Sequence, residues 1–174
     1  LFIIVSSPFL LLIAIIIRLD STGPVIFRQE RVGLDGNVFE MFKFRSMHVN
    51  AEKVTGPVWA SKGDSRRTRL GTFLRKTSVD ELPQLFNVLM GDMSLVGPRP
   101  ERKVFVEEFK KSIPKYMRRL KMKAGITGWA QINGWRGNTS LDKRIEFDLY
   151  YIKNWSLFLD FKIILLTFWK GLIN

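Results

Sequence analysis

Residues 1–17 form an uncharged apolar run that is interrupted only by Ser6, Ser7 and Pro8. Such a run has to leave water, and a helix needs about 20 apolar residues to cross a bilayer. A proline inside it removes a backbone hydrogen bond, so a kink is expected there. In lipid, the freed carbonyl needs another partner, which a serine hydroxyl can supply. Two alternatives follow: a kinked spanning helix, or a re-entrant helix that returns to the face it entered.

The charge balance indicates contact with a membrane surface. The chain of 174 residues has 28 Lys and Arg against 16 Asp and Glu, a net charge of +12, and yet 46% of its residues are hydrophobic. A nucleic-acid-binding protein of this charge would contain fewer Phe, Leu and Ile, so nucleic acid is not an expected partner. Each Lys or Arg near an anionic membrane contributes about 1 kcal/mol of binding. We therefore expect anionic lipid as a partner.

Several kinds of site are excluded by composition. The chain has no cysteine and a single histidine, His48, so disulfides, thiolate catalysis and histidine metal clusters are absent. Neither the P-loop nor the dinucleotide-binding glycine motif occurs. If phosphate is bound, arginines, Mg²⁺ and helix N-termini have to bind it.

The C-terminal segment at 155–169 begins and ends with tryptophan and places Asp160 and Lys162 among bulky apolar residues. This pattern is typical of an amphipathic helix that lies in the membrane interface. An ordinary buried C-terminal helix is the alternative.

Between these ends the sequence predicts one mixed α+β domain with a small β-hairpin and surface amphipathic helices. The hairpin is expected from two β-rich runs, 25–32 and 38–44, joined through an Asp-Gly turn. Residues 51–65 and 125–137 are predicted loops. Helices are predicted around 70–75, from about 80 to 90, over 104–123 with an interruption at Pro114, and over 142–151.

Two adjacent acids, Asp80 and Glu81, lie between the basic residues Arg75 and Arg99. They are explained structurally by a helix N-terminus, with Asp80 as the N-cap or with Ser78 as the cap and Glu81 closing a capping box. The functional interpretation is compatible with this one. A carboxylate held in a fixed orientation can act as a nucleophile or as a Mg²⁺ ligand.

The basic candidates differ in how well they are explained without a ligand. Arg99 lies between two prolines, which restrict its backbone and preorganise the guanidinium for phosphate. Lys43 and Arg45 close the predicted hairpin, where long side chains that keep their charged ends in water are an equally good explanation. Arg136 is a weaker candidate in the glycine-rich loop.

Six motifs occur in a fixed order along the chain. They are Ser7-Pro8, GPVIFRQERVG at 23–33, KFRSM at 43–47, LRKTSVDELPQLFNVL at 74–89, GDMSLVGPRPE at 91–101 and GITGWAQINGW at 125–135. With them the chain resembles the bacterial sugar transferases, which are monotopic phosphoglycosyl transferases. The resemblance implies that a UDP-sugar gives its sugar 1-phosphate to undecaprenyl phosphate with release of UMP, and that this transfer begins the assembly of an exopolysaccharide or other glycan.

The resemblance also implies residue roles. Asp80 would attack the β-phosphorus and form a covalent phosphosugar intermediate, Glu81 would complete the dyad, and both acids would hold Mg²⁺. The expected phosphate-binding residues are Arg75, Arg99, Lys43, Arg45 and Arg136. Ser7 and Pro8 would break the membrane helix.

The implied topology is a re-entrant membrane helix at 1–20 and a catalytic domain at 21–174 on the cytoplasmic face of the bacterial inner membrane. The domain would carry an interfacial helix at about 155–170. Because the first residue is Leu1, we expect a segment of a longer chain. The C-terminal half is most similar to members that use UDP-glucose, with galactose or an N-acetylated sugar as alternatives. A homodimer is one option for assembly, and a non-enzymatic module that binds membrane surfaces is the rival function.

Overall fold

The computed structural model describes residues 2–53, 56, 58 and 63–173, which form a mixed α/β fold. The helices are α1 (Phe2–Asp20), α2 (Arg69–Lys76), α3 (Gln84–Met90), α4 (Lys103–Ser112), α5 (Trp129–Ile132), α6 (Leu141–Lys153) and α7 (Leu157–Ile173). The strands are β1 (Ile26–Val32), β2 (Val38–Phe44), β3 (Ser94–Val96) and β4 (Gly125–Thr127). Three 3₁₀ segments lie at Leu34–Gly36, Val79–Glu81 and Tyr116–Lys121.

The predicted hairpin is confirmed. Strands β1 and β2 pair antiparallel from Ile26 opposite Phe44 to Val32 opposite Val38. The connection turns through Asp35 and Gly36, whose φ values of 54° and 86° are left-handed. Asp and Gly tolerate this backbone better than bulkier residues, which is why the Asp-Gly pair predicts the turn.

The second sheet is a short parallel pair, β3 and β4, and β4 lies in the segment 125–137 that was predicted to be only a loop. That prediction was wrong in part, because 125–137 contains both β4 and α5. The two backbones come unusually close just after β3. A Cβ atom on Gly97 would lie 2.3 Å from the carbonyl oxygen of Lys123, and one on Gly125 would lie 2.1 Å from the nitrogen of Gly97. The glycines are therefore required by close packing, which positions the chain that follows Val96.

Helix α3 has the reverse of the usual polarity. Its buried residues are Gln84 and Asn87, whereas Phe86 and Leu89 are 43% and 71% exposed. The Asn87 amide donates from Nδ2 to the carbonyl of Glu40 at 2.7 Å, and its Oδ1 accepts from the backbone nitrogen of Phe42 at 3.0 Å. Phe86 and Leu89 face outward because the amide bonds to β2 take the inner face.

The start of α3 differs from the prediction. Asp80 is not a helix N-cap, because it lies inside the 3₁₀ turn Val79–Glu81, and α3 begins only at Gln84. Ser78 precedes the turn with a left-handed φ of 57° and makes no side-chain cap bond. No capping box forms, since the Glu81 carboxylate bonds to basic side chains instead. The helix ends at Met90, as predicted, and Gly91 follows it with a left-handed φ of 86°.

The remaining helices follow the sequence pattern closely. The basic region 104–123 is divided by Pro114 into α4 and the 3₁₀ segment Tyr116–Lys121, and α6 covers the helix expected at 142–151. The loop predicted at 51–65 lies partly outside the described residues. Where it is described, it consists of turns and irregular chain.

The two terminal helices combine a buried face with an exposed apolar face. Helix α1 runs through Pro8 without a break in its helical assignment, and Ile13 and Ile17 pack with Phe44 and Leu74. In α7, Ile163 is completely buried. The exposed apolar side chains of α7 are Leu157, Phe158, Phe161, Leu165, Phe168 and Trp169. Among the described residues, no helix has both the length and the apolar character needed to cross a membrane.

Candidate active site

The acid pair lies in the 3₁₀ turn directly after α2. Asp80 and Glu81 are both buried, with 4% and 5% of their surfaces exposed. Helix α2 is capped by Thr68, whose hydroxyl accepts from the backbone nitrogen of Gly71 at 2.9 Å. A Cβ on Gly71 would lie 2.0 Å from the carbonyl oxygen of Ser46, so α2 packs directly on the backbone that follows β2. This contact brings the acid pair beside the end of the hairpin.

Glu81 is surrounded by three cations from distant parts of the chain. Lys43 Nζ lies 2.8 Å from its Oε1, and Arg99 reaches both oxygens, at 2.5 Å from Nη2 and 3.3 Å from Nη1. Arg136 Nη2 lies 3.2 Å from Oε2. Burial by itself would raise the pKa of Glu81, but Arg99, Lys43 and Arg136 hold that pKa well below its usual value. Glu81 is therefore a fixed negative charge that organises three basic side chains.

Asp80 has the opposite environment. Its Oδ1 is buried and has no hydrogen-bond donor among the described residues. Burial and the neighbouring charge of Glu81 raise the pKa of Asp80, and Lys43, Arg75 and Arg136 oppose that rise only in part. A buried carboxylate oxygen without a partner is costly. Asp80 thus keeps an oxygen to which no described residue donates, which is compatible with a role as a nucleophile or a metal ligand.

The residues fit a Mg²⁺ ion at Asp80 better than at Glu81. Mg²⁺ commonly binds through one or two carboxylates together with substrate phosphates and water. Asp80 Oδ1 is a hard oxygen donor without a partner, whereas both Glu81 oxygens already accept from cations. No group of three or more acidic or histidine side chains lies together in the described part of the chain. The share of Glu81 in a metal site stays a prediction.

The predicted phosphate-binding residues divide into those beside the acids and one that is elsewhere. Lys43, Arg99 and Arg136 contact Glu81 directly. Arg75 extends from α2, its Nε bonds Ser46 Oγ at 2.8 Å, and it lines the same cleft as Asp80. Burial, opposed by Glu81, lowers the pKa of Lys43 to about 8.

Arg45 lines the cleft but lies away from the acid pair, and its part in phosphate binding stays a prediction. It is 5% exposed, and its Nη2 donates to the carbonyls of Ile17 and Ser21 at 3.3 and 2.5 Å and to Ser21 Oγ at 2.9 Å. The last carbonyls of a helix have no intrahelical donors, and a basic side chain there satisfies them. Arg45 contacts no acid of the site in any of these bonds, so it fastens the end of α1 to the domain.

The loop that carries Arg99 is held by its backbone. The nitrogen of Gly125 donates to the carbonyl of Pro98 at 3.0 Å, and the nitrogen of Val32 donates to that of Glu101 at 2.9 Å. Arg31 Nη1 reaches the carbonyl of Pro100 at 3.2 Å. The two prolines and these bonds together leave the Arg99 backbone little freedom.

Sequence reasoning did not identify a second group of buried charges behind this loop. Arg119 pairs with Asp148, with Nη2 2.8 Å from Oδ2, and Arg144 pairs with Glu101, with Nη1 2.8 Å from Oε1. All four side chains are less than 9% exposed. Only Glu101 had a signal in the sequence, because it closes the GPRPE motif; the others lie in helical segments where basic and acidic residues normally face solvent.

The acid pair opens onto one large cleft of about 1600 Å³. Basic side chains outnumber acidic ones in its lining. The arginines and lysines that line it include Arg31, Lys43, Arg66, Arg67, Arg75, Arg99, Arg102 and Arg136. The arrangement can bind a ligand with several negative charges and present its phosphorus to a carboxylate oxygen.

Comparison with known proteins agrees with this geometry. A family model described as bacterial sugar transferase matches residues 1–174. The chain is 54% identical over 180 residues to a protein of Klebsiella pneumoniae named UDP-glucose:undecaprenyl-phosphate glucose-1-phosphate transferase, and 52% identical over 180 residues to a protein of the same name from Escherichia coli K12. These alignments cover 100% of the chain and 38% of each relative.

A third relative differs in the sugar that its name gives. It is the UDP-N-acetylgalactosamine-undecaprenyl-phosphate N-acetylgalactosaminephosphotransferase of Aeromonas hydrophila, 50% identical over 163 residues that cover 92% of the chain and 38% of the relative. The chain thus spans well under half the length of these curated relatives. Since the family model covers it from end to end, the chain belongs to the bacterial sugar transferase family.

Proposed function

We propose that the protein transfers a sugar 1-phosphate from a UDP-sugar to undecaprenyl phosphate and releases UMP. One observation carries this proposal. Asp80 presents a buried, unpartnered oxygen in a basic cleft beside Glu81, whose charge holds Lys43, Arg99 and Arg136 together. The names of the relatives supply the substrate class, and UDP-glucose is the sugar nucleotide named for the two at 54% and 52% identity.

The proposed chemistry proceeds in two halves. Asp80 attacks the β-phosphorus, a new O–P bond forms, and the bond from that phosphorus to the bridging oxygen breaks so that UMP leaves with the electron pair. A phosphate oxygen of undecaprenyl phosphate then attacks the phosphosugar-aspartate, and the Asp80 carboxylate is released. Arg99, Arg136 and Lys43 neutralise the phosphates during both displacements. Mg²⁺ held at Asp80 would supply further neutralisation of phosphate charge.

UMP release tests the reaction. Purified wild type is incubated with a UDP-sugar, undecaprenyl phosphate and Mg²⁺, and UMP is quantified beside the Asp80→Asn variant. Wild-type release that Asp80→Asn loses supports the assignment. Equal release by both would remove Asp80 from the chemistry, and no release by wild type would favour the rival module that only binds membranes.

Two further measurements refine the scheme. Trapping a sugar-phosphate adduct on Asp80 without the lipid acceptor supports the covalent intermediate, and its absence during steady turnover favours direct transfer. A panel of UDP-glucose, UDP-galactose and UDP-N-acetylated sugars determines the sugar, because relatives named for different sugars share 50% identity or more with the chain.

We also infer that the protein is monotopic, with 1–20 as a re-entrant membrane helix and 21–174 as a catalytic domain on the cytoplasmic face of the inner membrane. The many exposed apolar side chains of α1, α3 and α7 support this inference, because exposed apolar surface in water is unfavourable. Helix α7, near the predicted interfacial segment 155–170, would rest on the surface, where anionic lipid attracts the +12 chain.

Cysteine labelling tests the topology. The chain has no cysteine, so single cysteines at Leu1 and Asp20 can be labelled without background. Labelling of both from the cytoplasmic side supports the re-entrant helix, and labelling from opposite sides contradicts it. Flotation with anionic and neutral vesicles tests the lipid preference, with duplex DNA as the competitor that should have no effect. Light scattering in detergent tests the homodimer.

A further inference from the structure

The carbonyl of Arg99 is held by a side chain that contacts no part of the acid pair. Arg119 Nη2 donates to that carbonyl at 2.8 Å. Arg119 is 1% exposed, and its Nε and Nη2 lie 3.0 and 2.8 Å from Oδ2 of Asp148. Its remaining Nη1 donates to the hydroxyl of Tyr116 at 3.1 Å. One buried guanidinium thus joins the 3₁₀ segment Tyr116–Lys121, helix α6 and the Arg99 loop.

A pair of this kind is a poor device for stability alone. Removing two charges from water costs several kcal/mol for each ion, and apolar residues of similar volume often replace such a pair without loss. Two apolar residues in place of Arg119 and Asp148 could not donate a hydrogen bond to the carbonyl of Arg99. The backbone of Arg99 is therefore anchored to the core through Arg119, while its guanidinium reaches Glu81 on the other side.

We propose that Arg119 and Asp148 are positioning residues that hold Arg99 in the orientation in which it binds substrate phosphate. Asp148 orients the Arg119 guanidinium, and Arg119 fixes the carbonyl of Arg99. The bond from Gly125 to Pro98 restrains the preceding residue from the other side of the loop. The inference rests on the proposed function, because it assigns phosphate binding to Arg99.

The expected effect is large for residues that touch no substrate. A displacement of about 1 Å in a group that positions substrate can lower the rate roughly 100-fold. Asp148→Asn keeps the size of the side chain but leaves the buried Arg119 charge without its counter-ion. We expect kcat/KM for UMP release to fall by about 30- to 100-fold in this variant, with the same secondary structure by circular dichroism.

A double-mutant cycle with Arg99→Ala separates positioning from general damage to the fold. If Asp148 acts through Arg99, then Asp148→Asn in the Arg99→Ala background lowers kcat/KM by less than about 3-fold. The same large factor in both backgrounds would overturn the proposal, because a merely structural role does not depend on the Arg99 side chain.

Two variants keep the test decisive. Tyr116→Phe removes only the hydroxyl that accepts from Arg119, and it should lower kcat/KM by about 3- to 10-fold with the same dependence on Arg99. If Asp148→Asn does not fold, Tyr116→Phe tests the positioning role in its place. Asp35→Asn is the matched control, because Asp35 pairs with exposed Lys121 of the same 3₁₀ segment and does not contact the Arg99 loop in that pair. It should leave the kinetics unchanged.

The affinity for UDP, measured by calorimetry on the full chain in detergent micelles, separates this inference from the proposed function. If wild type releases no UMP, the proposed transfer reaction is wrong. The double-mutant cycle of Asp148→Asn and Arg99→Ala is then measured with the Kd for UDP in place of kcat/KM. A loss of UDP affinity on Asp148→Asn that disappears in the Arg99→Ala background supports positioning. An equal loss in both backgrounds, or none in either, contradicts it.

Discussion

Two buried ionic clusters lie on opposite sides of the Arg99 loop, and they differ in how fully their charges and hydrogen bonds are matched. Around Glu81, three cations share one carboxylate, while no residue in the described part of the chain donates to Oδ1 of neighbouring Asp80. Around Arg119, the bonds to Asp148, to Tyr116 and to the carbonyl of Arg99 use every nitrogen of the guanidinium. The first cluster opens onto the cleft, and the second is closed.

The difference shows which cluster can accept a ligand. Unpartnered groups and excess charge of one sign are costly in the folded protein, and a ligand of opposite charge relieves that cost. A cluster with every bond made gains nothing from a ligand and instead holds its neighbours in place. The same chemical change should therefore have different consequences on the two sides of the loop.

The largest effect is expected at Asp80. Asp80→Asn should lower kcat for UMP release at least about 1000-fold, because the attacking carboxylate is lost. The melting temperature should stay the same or rise, since a buried charged group without a full set of partners becomes neutral. Both are measured on one preparation in detergent micelles. Activity within tenfold of wild type, or marked loss of stability, would contradict the description of the open cluster.

The same Asp→Asn change at Asp148 should lower stability in addition to kcat/KM, whereas at Asp80 it lowers activity alone. Leaving Arg119 without its counter-ion should lower the free energy of unfolding by about 3 kcal/mol, as measured by urea denaturation in micelles. An unchanged unfolding midpoint would mean that the closed cluster is not balanced as the distances indicate.

Arg99 joins the two clusters, because its guanidinium bonds Glu81 and its carbonyl accepts from Arg119, and its effect should be smaller than that of Asp80. Arg99→Lys keeps the charge but loses the paired contact of the guanidinium with both Glu81 oxygens, so kcat/KM should fall by about 30-fold. Arg28→Lys serves as the control, because Arg28 pairs with Glu40 on the exposed hairpin surface. Equal kinetics for Arg99→Lys and wild type would show that charge alone is needed at Arg99.

The open cluster should also be sensitive to alkaline pH. Because the pKa of Lys43 is lowered from 10.5 to about 8, Lys43 loses its charge above pH 8 in the folded protein, and the rate should fall there. The unfolded chain binds more protons between these two values, so the contribution of Lys43 to stability rises with pH in that window while activity falls. Lys43→Arg should shift the alkaline fall of the pH–rate profile to higher pH. If that fall stays at the same pH, the titration of Lys43 does not cause it.

The smallest effect is expected for an ion pair outside both clusters. Lys121 and Asp35 are 74% and 53% exposed, and exposed pairs contribute at most about 1 kcal/mol. Lys121→Met should change the unfolding midpoint little and the kinetics not at all. A large change would mean that the 3₁₀ segment transmits strain to Arg119, and would weaken the contrast between buried and exposed pairs.

Local signals predicted much of the fold. The Asp35-Gly36 pair predicted the hairpin because only a few residues tolerate its left-handed turn. Apolar spacing predicted the existence of α2, α4, α6 and α7. It did not predict which way α3 would face, because a sequence stripe defines a helix side without saying what packs on it.

The sequence predicts those residues of the candidate site that lie in its motifs. Asp80, Glu81, Lys43 and Arg99 come from separate motifs, and the fold brings them together. Arg45 shares the motif of Lys43, but one nitrogen of its guanidinium, Nη2, bonds the carbonyls at the end of α1. Arg119 and Asp148 are 29 residues apart and carry no local signal, since only tertiary packing determines that two charged helical residues become buried together.

The Asn87 amide has a consequence for assembly. By donating to the carbonyl of Glu40 and accepting from the nitrogen of Phe42, it occupies the free edge of β2 as a neighbouring strand would. An open edge is where sheets recruit strands from other molecules and aggregate. The buried Asn87 side chain therefore prevents another strand from pairing with these two backbone groups of β2.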